Sequence, residues 1–244
     1  MQRESIRLFR VAGIEVALHF SWFFIAIYQL TARQHGYASP IFAGYEYIAL
    51  FVIVLLHEFG HAIACRQVGG IANYILLWPF GGIAFVRPPP RPGAELWSIV
   101  GGPLVNVMLI PVLWLMESVA ARSGLAVQAP DLYRLIWMIG RINIVILIFN
   151  LLPIYPLDGG QMLRSLLWFV IGRIRSLQVA SVIGLAGGAA LVLWAFRQQS
   201  ILLGLLALFL LSQAFTGWQH AKALAADERE ARRIQDELRE RPVL

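Results

Sequence analysis

Little in this sequence can face water. Charged residues fill 14% of its 244 positions and apolar residues 59%, against roughly 25% and 45–50% in an average soluble domain. A mean hydropathy of +0.68 excludes a soluble globule, which would lack polar groups to cover its surface. It equally excludes an unfolded chain, which needs high charge and low hydrophobicity. Cysteine is nearly absent: Cys65 stands alone, so no internal disulfide can form. Lysine too occurs once, at Lys222, and the other cations are arginines that bring the formal net charge to +6. In a soluble protein such basicity would suggest a nucleic-acid partner. Here the arginines flank apolar runs, as the positive-inside rule for membrane proteins describes, and no nucleic-acid partner is expected.

What is abundant is length without charge. A helix needs about 20 mostly apolar residues to cross a bilayer, and six stretches qualify: Ile14 to Leu30, Ile41 to Ala64, Leu96 to Met116, Leu132 to Leu152, Leu177 to Phe196 and Ile201 to Trp218. The sequence therefore predicts an all-α polytopic membrane protein of about six transmembrane helices. Arg3, Arg7 and Arg10 precede the first run as in a signal peptide. Glu15 and His19 interrupt that run and no small-residue cleavage site follows, so a retained span is expected. After the second span, Ile71 to Val86 is apolar but short, broken by Pro79, Gly81 and Gly82, and Arg87-Pro-Pro-Pro-Arg-Pro-Gly93 then forbids helix. This predicts a re-entrant or β-hairpin segment. Met162 to Gly172 reads as a short interfacial or re-entrant helix.

Six crossings put both termini on one side. That side would carry Arg3, Arg7, Arg10, Arg66, Arg87, Arg91, Arg164, Arg173 and Arg175, and the other only Arg33, Arg122, Arg134 and Arg197. The bias predicts cytoplasmic termini on a multi-pass protein of the cell (inner) membrane. Residues 1–218 then form the membrane core. Residues 219–244, with acidic and basic residues in equal number, form a charged cytoplasmic helical tail.

The chemistry-bearing residues lie inside the second span, in Leu55-Leu-His57-Glu58-Phe-Gly-His61-Ala. On a helix, residues i and i+4 share a face about 6 Å apart along the axis. Two imidazoles so placed can grip one metal ion while Glu58 reaches a water bound to it. Ionisable residues in a membrane span are costly unless paired or hydrated, and default to function. The plain alternative is a set of satisfied polar groups holding helices together. Glu58 precedes Arg66 by two helical turns, about 12 Å, so such a metal would lie below the headgroups. Hydrolytic zinc wants a third protein ligand and an open position. Cys65 is too far along the axis from His57, and His19, His35 and His220 are poorly placed. Asp158, in Asn150-Leu-Leu-Pro-Ile-Tyr-Pro-Leu-Asp-Gly-Gly-Gln161, is the better candidate. It could equally N-cap the short helix that follows, with Gln161 completing a capping box.

His57-Glu58-x-x-His61 followed by Asn150-x-x-Pro153-x-x-Pro156-Leu-Asp158-Gly159 resembles the site-2 protease family of intramembrane zinc metalloproteases. Gly102-Pro103-Leu-Val-Asn106 and Phe80-Gly81-Gly82-Ile-Ala84 resemble two further elements of that family, in the same order. The resemblance implies a zinc metalloendopeptidase with one Zn2+ held by His57, His61 and Asp158. Glu58 would be the general acid/base, and the substrate another protein's membrane helix, cut during regulated intramembrane proteolysis. Asn106 and Asn150 are candidates for stabilising the oxyanion or holding substrate backbone, each with an ordinary interhelical hydrogen bond as the alternative. Gly81 and Gly82 would lie where an unwound substrate adds as a strand. Besides lipid and substrate, a second copy of the chain or a regulatory membrane protein could be a partner. No soluble domain interrupts the third and fourth spans, and no nucleotide-sensing module is expected at the C-terminus. The rivals are an inactive scaffold or zinc-binding membrane protein of the same fold, a metal transporter, and a membrane protease of another lineage. The last would need a glutamate ligand such as Glu95 or Glu117.

Overall fold

The computed structural model describes residues 5–24, 26–27, 36–78 and 81–240. They divide into two compact units, residues 1–151 and 152–244.

The first unit opens with a hairpin, β1 (Ser5–Val11) and β2 (Ile14–His19). Ala12 and Gly13 join them with φ of 49° and 75°. Positive φ at both central residues makes the two-residue connection whose twist suits paired strands, and glycine adopts it without strain. Helix α1 (Ile41–Gln67) carries the chain to β3 (Ile71–Trp78), which runs parallel to β2, and β4 (Gly81–Arg87) returns antiparallel to β3. The sheet order is β1-β2-β3-β4. Its inner face packs on α1 through Ile14, Val16, Ile75 and Leu77 against Val54, Ala62 and Cys65, all buried.

Two expectations are corrected here. The crossing expected from Ile14 to Leu30 does not begin as a helix, because Ile14 to His19 is a strand. Helix appears only at residues 22–24 and 26–27, and residues 28–35 lie outside the described part. Fold class also changes from all-α to helical with a four-stranded sheet. The expected hairpin after α1 is present as β3 and β4, whereas β1 and β2 stand where the sequence predicts a basic flank and the start of a span. Pairing explains the difference: an apolar run that finds a neighbouring strand satisfies its backbone in the sheet rather than within a helix.

Helix α2 (Pro92–Arg122) starts with proline at a position where a missing N–H costs nothing. The four-residue helix α3 (Leu125–Gln128) and α4 (Pro130–Leu151) complete the unit. Helices α1 and α2 cross at Gly60 and Gly101. A Cβ on either would lie 2.3 Å from the other's carbonyl oxygen, so the two backbones touch, the close packing small residues permit in membranes. At the end of α1, the Arg66 guanidinium donates to the carbonyls of Ala12 and Ala72. The arginines of β1 and of α1's last turn therefore share one end of the unit.

The second unit holds α5 (Asp158–Ile171), α6 (Arg173–Arg197) and α7 (Ile201–Glu240). Helix α5 is the short helix expected from Met162, begun four residues earlier. Helix α7 continues past Trp218 to Glu240. Against α7, α6 turns a face of small residues, including Ala180, Ser181, Gly184 and Gly188. Among the described residues five helices, α1, α2, α4, α6 and α7, are long and apolar enough to cross a membrane. The chain is a multi-pass membrane protein.

Candidate metal centre

His57, Glu58 and His61 lie in the half of α1 that faces the sheet and α2, exposed by only 4%, 6% and 8%. Their ligand atoms fall within 4.8 Å of one another. The helix does this by itself: a four-residue step brings the two imidazole Nε2 atoms to 3.1 Å.

Neighbouring helices decide which nitrogen of each ring carries hydrogen. His61 Nδ1 is 3.0 Å from the backbone carbonyl of Ser98 on α2. A carbonyl only accepts, so Nδ1 must donate. The His57 ring is set by a chain of three bonds. Asn143 on α4 donates from Nδ2 to the carbonyl of Asn106 at 3.0 Å, which fixes its Oδ1 as an acceptor. That Oδ1 takes a bond from Asn106 Nδ2 at 2.8 Å, so Asn106 Oδ1 is the atom left facing His57 Nδ1, at 2.6 Å. The amide orientation thus follows from a backbone carbonyl, and His57 Nδ1 is also the donor.

With hydrogen on both Nδ1 atoms, neither neutral ring has one on Nε2 to offer the other. Two Nε2 lone pairs at 3.1 Å call for a cation between them, a shared proton or a metal ion. Tetrahedral zinc with Zn–N bonds of 2.0–2.1 Å sets two ligand nitrogens about 3.3 Å apart. Gly102 gives the second test of fit. A Cβ there would sit 2.3 Å from His61 Nε2 and 2.7 Å from His57 Nε2, so the missing side chain leaves room where both lone pairs converge. The Gly-Pro-x-x-Asn element thereby gains a physical meaning: Gly102 clears the space and Asn106, one turn on, orients the His57 ring.

Glu58 is held from the sheet side, its Oε2 accepting from the Ala84 backbone N–H on β4 at 2.9 Å. Gly81 and Gly82 begin that strand, opposite Trp78 and Leu77. Among the other candidates, Asn106 is fully buried between His57 and Asn143, and Asn150 is the next-to-last residue of α4. In the second unit, Asp158 is 9% exposed and is the first residue of α5. The capping alternative does not hold in the form considered. Leu157 is the cap residue, and the Gln161 side chain donates to the carbonyl of Pro156. His19 pairs with the Ser21 hydroxyl, Cys65 is buried against the Ile71 carbonyl, and His35 lies outside the described residues.

Sequence reasoning missed three contributors. The Ser98 carbonyl and the Ala84 N–H are backbone groups, which no residue type announces. Asn143 could have been suspected, since a fully buried amide in an apolar span needs partners.

Residues 115–194 match the sequence profile of Peptidase family M50. The fold resembles a solved site-2 protease from Methanocaldococcus jannaschii with a TM-score of 0.63 and 31% identity, over 88% of this chain and 95% of that one. The chain belongs to the site-2 protease family. A zinc metalloprotease of the same archaeon is 33% identical over 84% of this chain and 58% of its own length. Stage IV sporulation protein FB of Bacillus subtilis is 34% identical over 48% of this chain and 38% of its own length. This family member thus spans about half the length of the curated relatives it matches.

Proposed function

We propose that this family member is an intramembrane zinc metalloendopeptidase that hydrolyses a peptide bond within or near a transmembrane helix of another protein. The observation that carries the proposal is the pair of buried imidazoles whose Nε2 lone pairs converge at 3.1 Å beside a carboxylate on the next residue. His57, His61 and Asp158 are the proposed zinc ligands, Asp158 on the strength of its motif and the relatives' chemistry. When bound, zinc would lower the pKa of a coordinated water toward neutrality and polarise the scissile carbonyl.

The protein's own part is positional. Glu58 takes a proton from the attacking water and delivers it to the departing amide nitrogen. Its Oε2 accepts the Ala84 N–H, which restricts the carboxylate's rotation. Asn150 is the proposed amide for the developing oxyanion or the substrate backbone.

A substrate helix hides its carbonyls in i to i−4 bonds and must unwind to be cut. Among the described residues strand β4 has a neighbour in the sheet on one side only, so its other edge can receive an unwound segment by strand addition. Bulky residues at Gly81 and Gly82 should then weaken cleavage and spare zinc occupancy; loss of both together would refute the docking role. The arginines of β1 and of the last turn of α1, gathered at one end of the first unit, support placing that end on the cytoplasmic side of the inner membrane.

The test is zinc analysis together with cleavage of a model membrane-helix substrate. Glu58→Gln should keep the metal and abolish cleavage, and Asp158→Ala should lose much of both. Full activity in either variant would overturn the proposal, and zinc without cleavage in the wild type would favour an inactive scaffold.

A further inference from the structure

Asn143 lies on α4, outside every motif that carries the family resemblance, yet it is fully buried and ends the only hydrogen-bonded path that leads from α4 to a ligand histidine among the bonds described. Its role is directional. An amide side chain is nearly symmetric in shape, and Asn106 could face His57 with either its oxygen or its nitrogen. Facing with nitrogen, it would donate to Nδ1, and His57 would have to carry its hydrogen on Nε2, where a metal must bind. Asn143 forbids that state, because its own orientation is fixed by donating to the Asn106 carbonyl. Its Oδ1 then accepts only the NH2 end of Asn106.

We infer that Asn143 is a positioning residue for the metal centre: through Asn106 it locks His57 in the Nδ1–H form and keeps the Nε2 lone pair available to the ion. Both ends of the Asn106 amide are then occupied in holding a ligand, which removes Asn106 from the groups that could meet a developing oxyanion. The inference rests on the proposed zinc-protease reading, deepens it, and involves only α1, α2 and α4.

The experiment measures zinc affinity of the full chain in detergent by chelator competition, and thermal unfolding of the metal-free protein. Partners that orient a ligand typically matter 10- to 100-fold for metal affinity. Asn143→Leu fills the same volume without polar ends and should weaken zinc by that factor. Asn143→Asp, protonated in this buried place, keeps an acceptor for Asn106 Nδ2 and an O–H donor for the Asn106 carbonyl, and should stay within about threefold of wild type. The discriminating variant is Asn106→Asp, whose carboxylate has no donor end to misorient. In that background Asn143→Leu should cost less than about threefold in zinc affinity.

Wild-type affinity in Asn143→Leu would overturn the inference. So would an undiminished loss in the Asn106→Asp background, which would assign Asn143 to packing alone, or an equal loss in Asn143→Asp. If wild-type protein takes up no zinc, the parent reading fails instead, so the two failures are distinguishable.

Discussion

Gly102→Ala is the sharpest test of the space between the two histidines. The new methyl carbon would lie 2.3 Å from His61 Nε2, 2.5 Å from its Cε1 and 2.7 Å from His57 Nε2. Non-bonded heavy atoms rest at about 3.5–4.0 Å, so the rings must retreat by roughly 1 Å. They cannot do so freely, because each is tied through Nδ1 to α2, at Ser98 and Asn106. Either those bonds stretch or the methyl group takes the volume a metal would occupy. Both routes lower zinc affinity, by an expected 10- to 100-fold, equivalent to about 1.4–2.8 kcal/mol. Cleavage should fall by at least about 100-fold, as expected for a misplacement near 1 Å. Overpacking itself costs about 1–3 kcal/mol of stability. Metal-free unfolding therefore has to be measured beside chelator-competition affinity and cleavage of a membrane-helix substrate. Gly44→Ala, on the same histidine-bearing α1, is the control: nothing lies within 4 Å of its new methyl, and it should leave zinc and activity unchanged. A Gly102→Ala protein that binds zinc as tightly as wild type would refute the claim that ligand atoms converge there.

Ala84→Pro removes the N–H that anchors Glu58 and should lower kcat about tenfold with unchanged zinc content, read by paired metal analysis and kinetics. Chelation should abolish cleavage, zinc should restore it, and unfolding temperature should rise with free zinc as ligand linkage requires; metal-independent cleavage would contradict the mechanism. Gly60→Leu should separate α1 from α2 and reduce both folded yield and zinc uptake, since even a Cβ at Gly60 lies 2.3 Å from the Gly101 carbonyl. Arg66→Met should destabilise the protein by about 1–2 kcal/mol through loss of the bonds to Ala12 and Ala72, measured by thermal unfolding, with little effect on metal affinity.

The long apolar helices were legible because a membrane leaves one way to satisfy a lone segment's backbone, and length and hydropathy identify it. Ile14 to His19 shows where that logic fails. It opens the apolar run that continues to Leu30, but Ala12-Gly13 turns the chain back onto Ser5 to Val11, and Glu15 to Leu18 find parallel partners at Tyr74 to Leu77. Hydropathy measures transfer out of water and says nothing of a partner 59 residues away. The clue was local: Ala12-Gly13 between Ile6-Arg7-Leu8 and Ile14-Glu15-Val16, two stretches in which apolar and charged residues alternate.

The metal centre was legible in its side chains and hidden in its backbone. His57, Glu58 and His61 share a face by helical arithmetic alone, so their convergence needed no tertiary information. What would make His57 and His61 ligands rather than a hydrogen-bonded pair is the state of the rings, and that comes from α2 and α4. A histidine pair whose Nδ1 atoms faced donors would hold hydrogens on Nε2 and repel a cation. Here a backbone carbonyl and an oriented amide face them instead, and both rings present lone pairs to the same point. The motif supplies two imidazoles at the right spacing; the fold supplies their tautomers. It follows that substitutions which leave His57, Glu58 and His61 intact but turn the Asn106 amide should weaken metal binding by the 10- to 100-fold expected of ligand-orienting partners, read by chelator competition, while a carboxylate at position 106 should not.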